Sequence, residues 1–121
     1  MSEENKKKTR QFYTEVLGLK VVSEISPTRV IVGNDHTFLG LTEPTDPTRD
    51  VENDRFNENR VGLDHLSFGV DSRDDLERAT AWFDEHNVHH AEINEIPSYG
   101  IVVMTFWDPD NIQLELTAPS E

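Results

Sequence analysis

An α+β protein of two paired βαβββ modules, the first apparently missing its opening strand, is what these 121 residues predict. Three observations carry that reading. An aromatic pair, a short helical tail and a cap residue occur twice: Phe12-Tyr13 leading to Gly18, and Trp82-Phe83 leading to Asn87. A turn signal between two apolar runs also occurs twice, at Gly33-Asn34-Asp35 and at Asp108-Pro109-Asp110-Asn111. Between the halves lies Glu43–Arg60, rich in Pro, Asp and Asn, with Val51 and Phe56 its only apolar side chains.

In chain order, helix one is expected from about Lys7 to Leu17, where Phe12, Tyr13, Val16 and Leu17 fall at helical spacings and Gly18 supplies a left-handed stop. Strands follow at Lys20–Glu24, Arg29–Val32 and Thr37–Thr42. Residues 44–60 read as a long, mobile crossover connection between module one (1–43) and module two (61–121) of a single domain. His65–Val70 opens module two. Helix two starts at Ser72-Arg73-Asp74-Asp75, a capping-box pattern with Asp in place of Glu, and buries Leu76, Ala79 and Phe83 with Trp82 at the flank. Strands at Ala91–Ile93, Ile101–Trp107 and Ile112–Thr117 complete it.

Module one has no counterpart to His65–Val70, because Met1–Thr9 contains no apolar residue after Met1. Its three-stranded sheet is left with an open edge, an aggregation hazard that needs cover. Either a second copy covers it, making a homodimer, or the natural start lies further upstream. The polarity of Met1–Lys8 favours the second.

Composition sets the outer bounds. The chain is large enough for a core, and no stretch approaches the apolar length of a membrane helix or resembles a signal peptide. A cytoplasmic location is the default expectation. Without cysteine there is no disulfide framework, thiolate nucleophile or Cys-based metal site. The net charge is −13, and no Lys follows Lys20. Such a surface repels nucleic acid and anionic membranes. An acidic, Lys-poor surface also points to a halophilic origin, where salt screens the self-repulsion.

Strand alternation locates the chemistry. In Asp64–Val70, Leu66, Phe68 and Val70 share one face, while His65, Ser67 and Gly69 share the other. In the last strand Leu114 and Leu116 oppose Gln113, Glu115 and Thr117. With the apolar faces packed on helices, His65 and Glu115 point together to the helix-free, concave side, a partial metal site by donor type. By residues alone, a hydrogen-bonded pair without metal is the more common arrangement.

The stretches FYTEVLGLKVV, GLDHLSFGVDSRDDLE and DPDNIQLEL, in this order, resemble the vicinal-oxygen-chelate superfamily of glyoxalases, bleomycin-resistance proteins and dioxygenases. The resemblance covers most of the chain outside the crossover. It implies the paired-module fold, a concave pocket for a small organic molecule, and a divalent metal (Zn, Ni, Mn or Fe) held by a His and a Glu from each module. Carried over, His65 and Glu115 fill the second-module positions. Module one departs from the pattern. Its His-bearing strand is absent, and aligning FLGLTEP with QLELTAP sets Gly40 opposite Glu115. Thr42 is a poor ligand, Glu43 has the wrong parity, and His36 precedes the strand.

Two protein donors are fewer than a tight site uses. The expected function is therefore small-molecule binding, either with metal-assisted lyase, isomerase or dioxygenase chemistry or as a metal-free drug-sequestering protein. Pocket candidates are Ser67 and Gln113 by parity, Tyr99 in its Ser-Tyr-Gly loop, and Phe38, with Trp107 nearby as lining or core. His86, His89 and His90 resemble a metal cluster only in sequence, since His86 belongs to a last helical turn and extended neighbours His89 and His90 diverge.

Overall fold

The computed structural model describes residues 3–43, 48 and 54–120, with side chains from residue 7 onward. The chain forms two compact units, Met1–Asp54 and Arg55–Glu121.

In the first unit, α1 spans Glu3–Gln11 and runs directly into a π-helical turn, Phe12–Val16. The Leu17 N–H reaches the Phe12 carbonyl at 3.0 Å, five residues back, and Leu19 N–H reaches Tyr13 O at 3.0 Å. Gly18, at φ +77°, allows this reversal without a Cβ penalty. The helix therefore begins earlier than its apolar spacing indicates. Glu and Lys are good helix formers, so the polar segment before Phe12 needs no buried stripe to be helical. A helix, and no strand, occupies Glu3–Gln11 among the described residues.

Strands β1 (Lys20–Ser26), β2 (Arg29–Gly33) and β3 (Phe38–Thr42) form an antiparallel sheet in that order. The β2–β3 turn is fixed by one side chain. Asn34 Oδ1 accepts from the backbone N–H of His36 (2.8 Å) and Thr37 (2.9 Å), while Asn34 N–H donates to Thr37 O. Strand β1 is exposed along its whole length, and register irregularities interrupt it at Val21/Ser23 and Glu24/Ser26.

The second unit is a four-stranded sheet in the order β4-β7-β6-β5, where β4 is Leu66–Gly69, β5 Asn94–Ile96, β6 Ile101–Trp107 and β7 Gln113–Pro119. Strand β4 pairs with β7 in parallel; the other pairings are antiparallel. Helix α2, Arg73–Glu85, begins with the expected capping box: Ser72 Oγ accepts from Asp75 N–H, and Asp75 Oδ2 accepts from Ser72 N–H. Asn87 closes it in the left-handed region at φ +57°, with Val88 N–H on Phe83 O at 2.8 Å.

Alternation divides most of the sheet, although Val103, on the opposite face of β6, is buried too. Val102, Met104 and Phe106 of β6 and Leu114 and Ala118 of β7 are buried, as are Leu76 and Phe83 of α2, which packs on these two strands. The Phe83 and Phe106 rings lie 4.6 Å apart. Each of these side chains larger than alanine contributes about 1.5–3 kcal/mol by leaving water, so this one face anchors the unit. The Asp108–Asn111 turn is self-contained. Asp108 Oδ1 accepts from the N–H groups of Asp110 and Ile112, both at 2.8 Å, and Asn111 takes φ +69°.

One strand expectation needs correction. The strand after α2 is Asn94–Ile96 rather than Ala91–Ile93. His90 bridges Phe106, yet Asn94 pairs with Val103, so one extra residue bulges between them and displaces the regular ladder. The crossover is described only in part. Much of it, including Val51, lies outside the described residues, but its end is tied to the final turn by Phe56 N–H to Asp110 O and Asn111 Nδ2 to Phe56 O, each 3.0 Å.

Candidate functional site

The face of the second sheet away from α2 is polar along β4 and β7. The ladder sets Ser67 beside Glu115 and Gly69 beside Thr117, and Thr105 of β6 lies on the other side of Glu115. His65 immediately precedes β4. Its Nε2 is 3.7 Å from Glu115 Oε1, so the two expected donors do share one face. Glu115 keeps 17% of its side chain exposed and His65 keeps 38%, which leaves both reachable by a solute.

Each member of the pair is held from behind. Glu115 Oε1 accepts from Ser67 Oγ at 2.5 Å and from Thr117 Oγ1 at 3.0 Å, and the two hydroxyl oxygens are 3.2 Å apart. On the other side, His65 Nδ1 is 2.7 Å from Asp64 Oδ2. Gln113 Nε2 donates to Asp64 O at 3.2 Å and, more loosely, approaches Asp64 Oδ2 at 3.4 Å. The result is a continuous polar row: Gln113, Asp64, His65, Glu115, then Ser67 and Thr117.

Ser67 and Gln113 thus stand next to the pair. Tyr99 stands apart from it, 78% exposed on the turn between β5 and β6, at the sheet edge opposite β4. Phe38 opens β3 in the first unit and is 70% exposed. Trp107 is across from Gln113 on the ladder and stacks on His89, with ring centroids 4.5 Å apart.

The three other histidines of this unit each have a partner of their own. His86 packs at a tilt against Trp82 and contacts its carbonyl, His89 stacks on Trp107, and His90 bridges Asp84 and Ala91 O. His36 lies in the β2–β3 turn, exposed.

Asp64 is the contributor that strand parity placed on the wrong face, and Thr117 one that it placed on the right face without a role. Alternation sets Asp64 opposite to His65, but the strand starts only at Leu66, so Asp64 is free to bend round to the imidazole. The signal available was its adjacency to His65. Thr117 was legible as sharing the face with Glu115, though not as its hydrogen-bond donor.

A divalent ion with bonds of about 2.1 Å takes neighbouring donors roughly 3–3.4 Å apart. The 3.7 Å between His65 Nε2 and Glu115 Oε1 suits two corners of such a shell after a small side-chain adjustment. Among the described residues no group of three His, Cys, Asp or Glu converges on one point. Gly40 leaves the equivalent rung of the first sheet without a donor; there Ile31 pairs with Gly40 as Thr105 pairs with Glu115.

Residues 4–116 match the family model of the Glyoxalase/Bleomycin resistance protein/Dioxygenase superfamily. Solved structures with this fold include a glyoxylase/bleomycin resistance protein/dioxygenase domain from Frankia sp. EAN1pec, at 26% identity and TM-score 0.73, covering 93% of this chain and 82% of that one. A lactoylglutathione lyase from Agrobacterium tumefaciens superposes at TM-score 0.71 with 21% identity, covering 93% and 84%. The fosfomycin resistance protein FosX from Listeria monocytogenes does so at 0.70 with 16% identity, covering 93% and 82%. At such identities the last two bear on the fold alone. No curated protein matches the chain in sequence.

Proposed function

The chain belongs to the Glyoxalase/Bleomycin resistance protein/Dioxygenase superfamily, and on that premise we propose that it binds a small, oxygen-bearing organic molecule on the polar face of β4 and β7. His65 and Glu115 are the contacting pair, with Ser67 and Gln113 lining the approach. The observation that carries the reading is the 3.7 Å approach of His65 Nε2 to Glu115 Oε1 on a solvent-reachable, helix-free face. A neutral imidazole carries one N–H donor and one acceptor nitrogen and a carboxylate offers acceptors, so a ligand hydroxyl or amide has matched partners there.

Metal-assisted lyase, isomerase or dioxygenase chemistry is the second reading, favoured by donor type. His65 and Glu115 would hold two corners of a divalent ion, which when bound would polarise ligand oxygens as a Lewis acid. Two protein donors make such a site weak, and the remaining corners would fall to the ligand or water. Binding without tight metal is therefore the leading reading for this donor set.

The test is a fragment mixture of small diols, hydroxy acids and amides added to labelled protein. Chemical-shift changes are expected at His65, Ser67, Thr105, Glu115 and Thr117. Changes confined to α2 and the strand faces beneath it would refute the placement.

A further inference from the structure

We propose that Asp64 and Ser67, supported by Gln113 and Thr117, are positioning residues that decide which atoms of the His65–Glu115 pair meet the ligand. His65 acts through Nε2, and the Glu115 carboxylate is held in a fixed orientation beside it. The proposal rests on the functional reading above and assigns atoms that reading leaves open.

For His65, the deciding fact is that its Nδ1 partner is a carboxylate. Asp64 Oδ2 at 2.7 Å is an acceptor with no hydrogen to give, so Nδ1 carries the ring proton and donates it. In the neutral ring Nε2 is then the lone-pair nitrogen, and Nε2 is the atom that faces Glu115. A free neutral imidazole prefers the opposite tautomer, so the Asp64 contact has a measurable consequence. Gln113, donating to Asp64 O at 3.2 Å, fixes the residue that fixes the ring. This is the arrangement by which a carboxylate behind an imidazole tunes metal-ligating histidines, here set by a residue adjacent in sequence.

For Glu115, both hydroxyl donors converge on one oxygen. Ser67 Oγ at 2.5 Å and Thr117 Oγ1 at 3.0 Å both approach Oε1, and none of the hydrogen bonds observed at Glu115 involves Oε2. Two donors from two different strands fix the carboxylate about its terminal torsion, which is otherwise broad. Ser67 is exposed and Thr117 half-buried, so neither is needed to fill the core. Their role is to orient Glu115.

The experiment is ¹⁵N NMR of the His65 ring in protein free of added metal, at about pH 9 where imidazoles are neutral. Wild type, Asp64→Ala and Asp64→Asn are compared. The wild type should show a protonated Nδ1 and an unprotonated Nε2. Asp64→Ala should move the proton to Nε2, and Asp64→Asn, whose Oδ1 still accepts, should restore the wild-type pattern. Because Asp64 is exposed, folding of the Ala variant should be unaffected, and its amide spectrum checks this. Nickel binding by calorimetry is the second readout. Asp64→Ala and Ser67→Ala should each weaken it by about tenfold, with Asp64→Asn near wild type.

An unchanged ring pattern in Asp64→Ala overturns the assignment for His65. Ser67→Ala binding nickel as tightly as wild type overturns the role given to Ser67. Should the tautomer respond as stated while the wild type binds neither nickel nor any fragment, the positioning of His65 stands and the functional reading falls.

Discussion

On the first sheet Val30 pairs with Leu41, Ile31 with Gly40 and Val32 with Leu39; on the second, Met104 pairs with Leu116, Thr105 with Glu115 and Phe106 with Leu114. The ladders match rung for rung, and in both the outer two rungs are apolar. The middle rung lies on the opposite face, and only there do the modules part: a glycine in one, a carboxylate in the other. Register is set by the apolar rungs, because a one-residue slip would turn them all to solvent. The middle rung carries no such duty, so its chemistry can differ while the fold stays the same. The units differ in charge as well. Residues 55–121 hold 14 acidic and 4 basic residues, against 10 and 7 in residues 1–54.

The largest expected effect comes from an apolar rung. Phe106 is fully buried against Phe83, and Phe106→Ala should cost about 3–5 kcal/mol in denaturant unfolding. A loss below about 1 kcal/mol would mean that this rung does not hold the register. Next comes a contrast between two glycines of the first sheet. A Cβ at Gly33 would sit 2.5 Å from the Thr37 carbonyl oxygen, whereas at Gly40 the nearest atom is Ile31 Cδ1 at 3.6 Å. Gly33→Ala should therefore cost about 1–3 kcal/mol by overpacking, while Gly40→Ala should be near neutral in the same melt. Equal losses at both positions would show that Gly40, too, is kept for backbone reasons.

Much of this was readable without coordinates. The capping box at Ser72, the left-handed stops at Gly18 and Asn87 and the shared face of His65 and Glu115 follow from local rules, since neighbouring residues decide them. What escaped was non-local or lacked an apolar signature. The early start of α1 is polar, the bulge between His90 and Asn94 depends on how β6 is met, and the Asp64–His65 contact forms outside the strand where parity applies.

The charge contrast sharpens in salt. We propose that the acidic surface reflects a halophilic origin. Lowering KCl from molar to millimolar should then lower the melting temperature by several degrees as screening between like charges is lost. An unchanged melt would mark an ordinary acidic protein.

The smallest effect is a proton. His90 places Nδ1 2.8 Å from Ala91 O and Nε2 2.7 Å from Asp84 Oδ1, and both partners only accept, so the imidazolium satisfies both at once. The Ala91 carbonyl, with Asp84, raises its pKa above the usual 6.5 despite partial burial. The folded state thus binds this proton more tightly than the unfolded chain does. Its contribution is full below the unfolded pKa and fades as pH rises through the raised folded value. Wild type minus His90→Gln stability should shrink from pH 6 to pH 9; a pH-independent difference would assign His90 a packing role alone.

The central claim is that the functional chemistry of the described residues centres on one middle rung, at Glu115 and the neighbouring His65. Calorimetric titration with nickel or manganese of wild type, His65→Ala and Glu115→Gln tests it most directly. The account predicts weak, chelator-reversible binding in the wild type and none in either variant. Stoichiometric metal that resists chelation and is indifferent to both substitutions would contradict it.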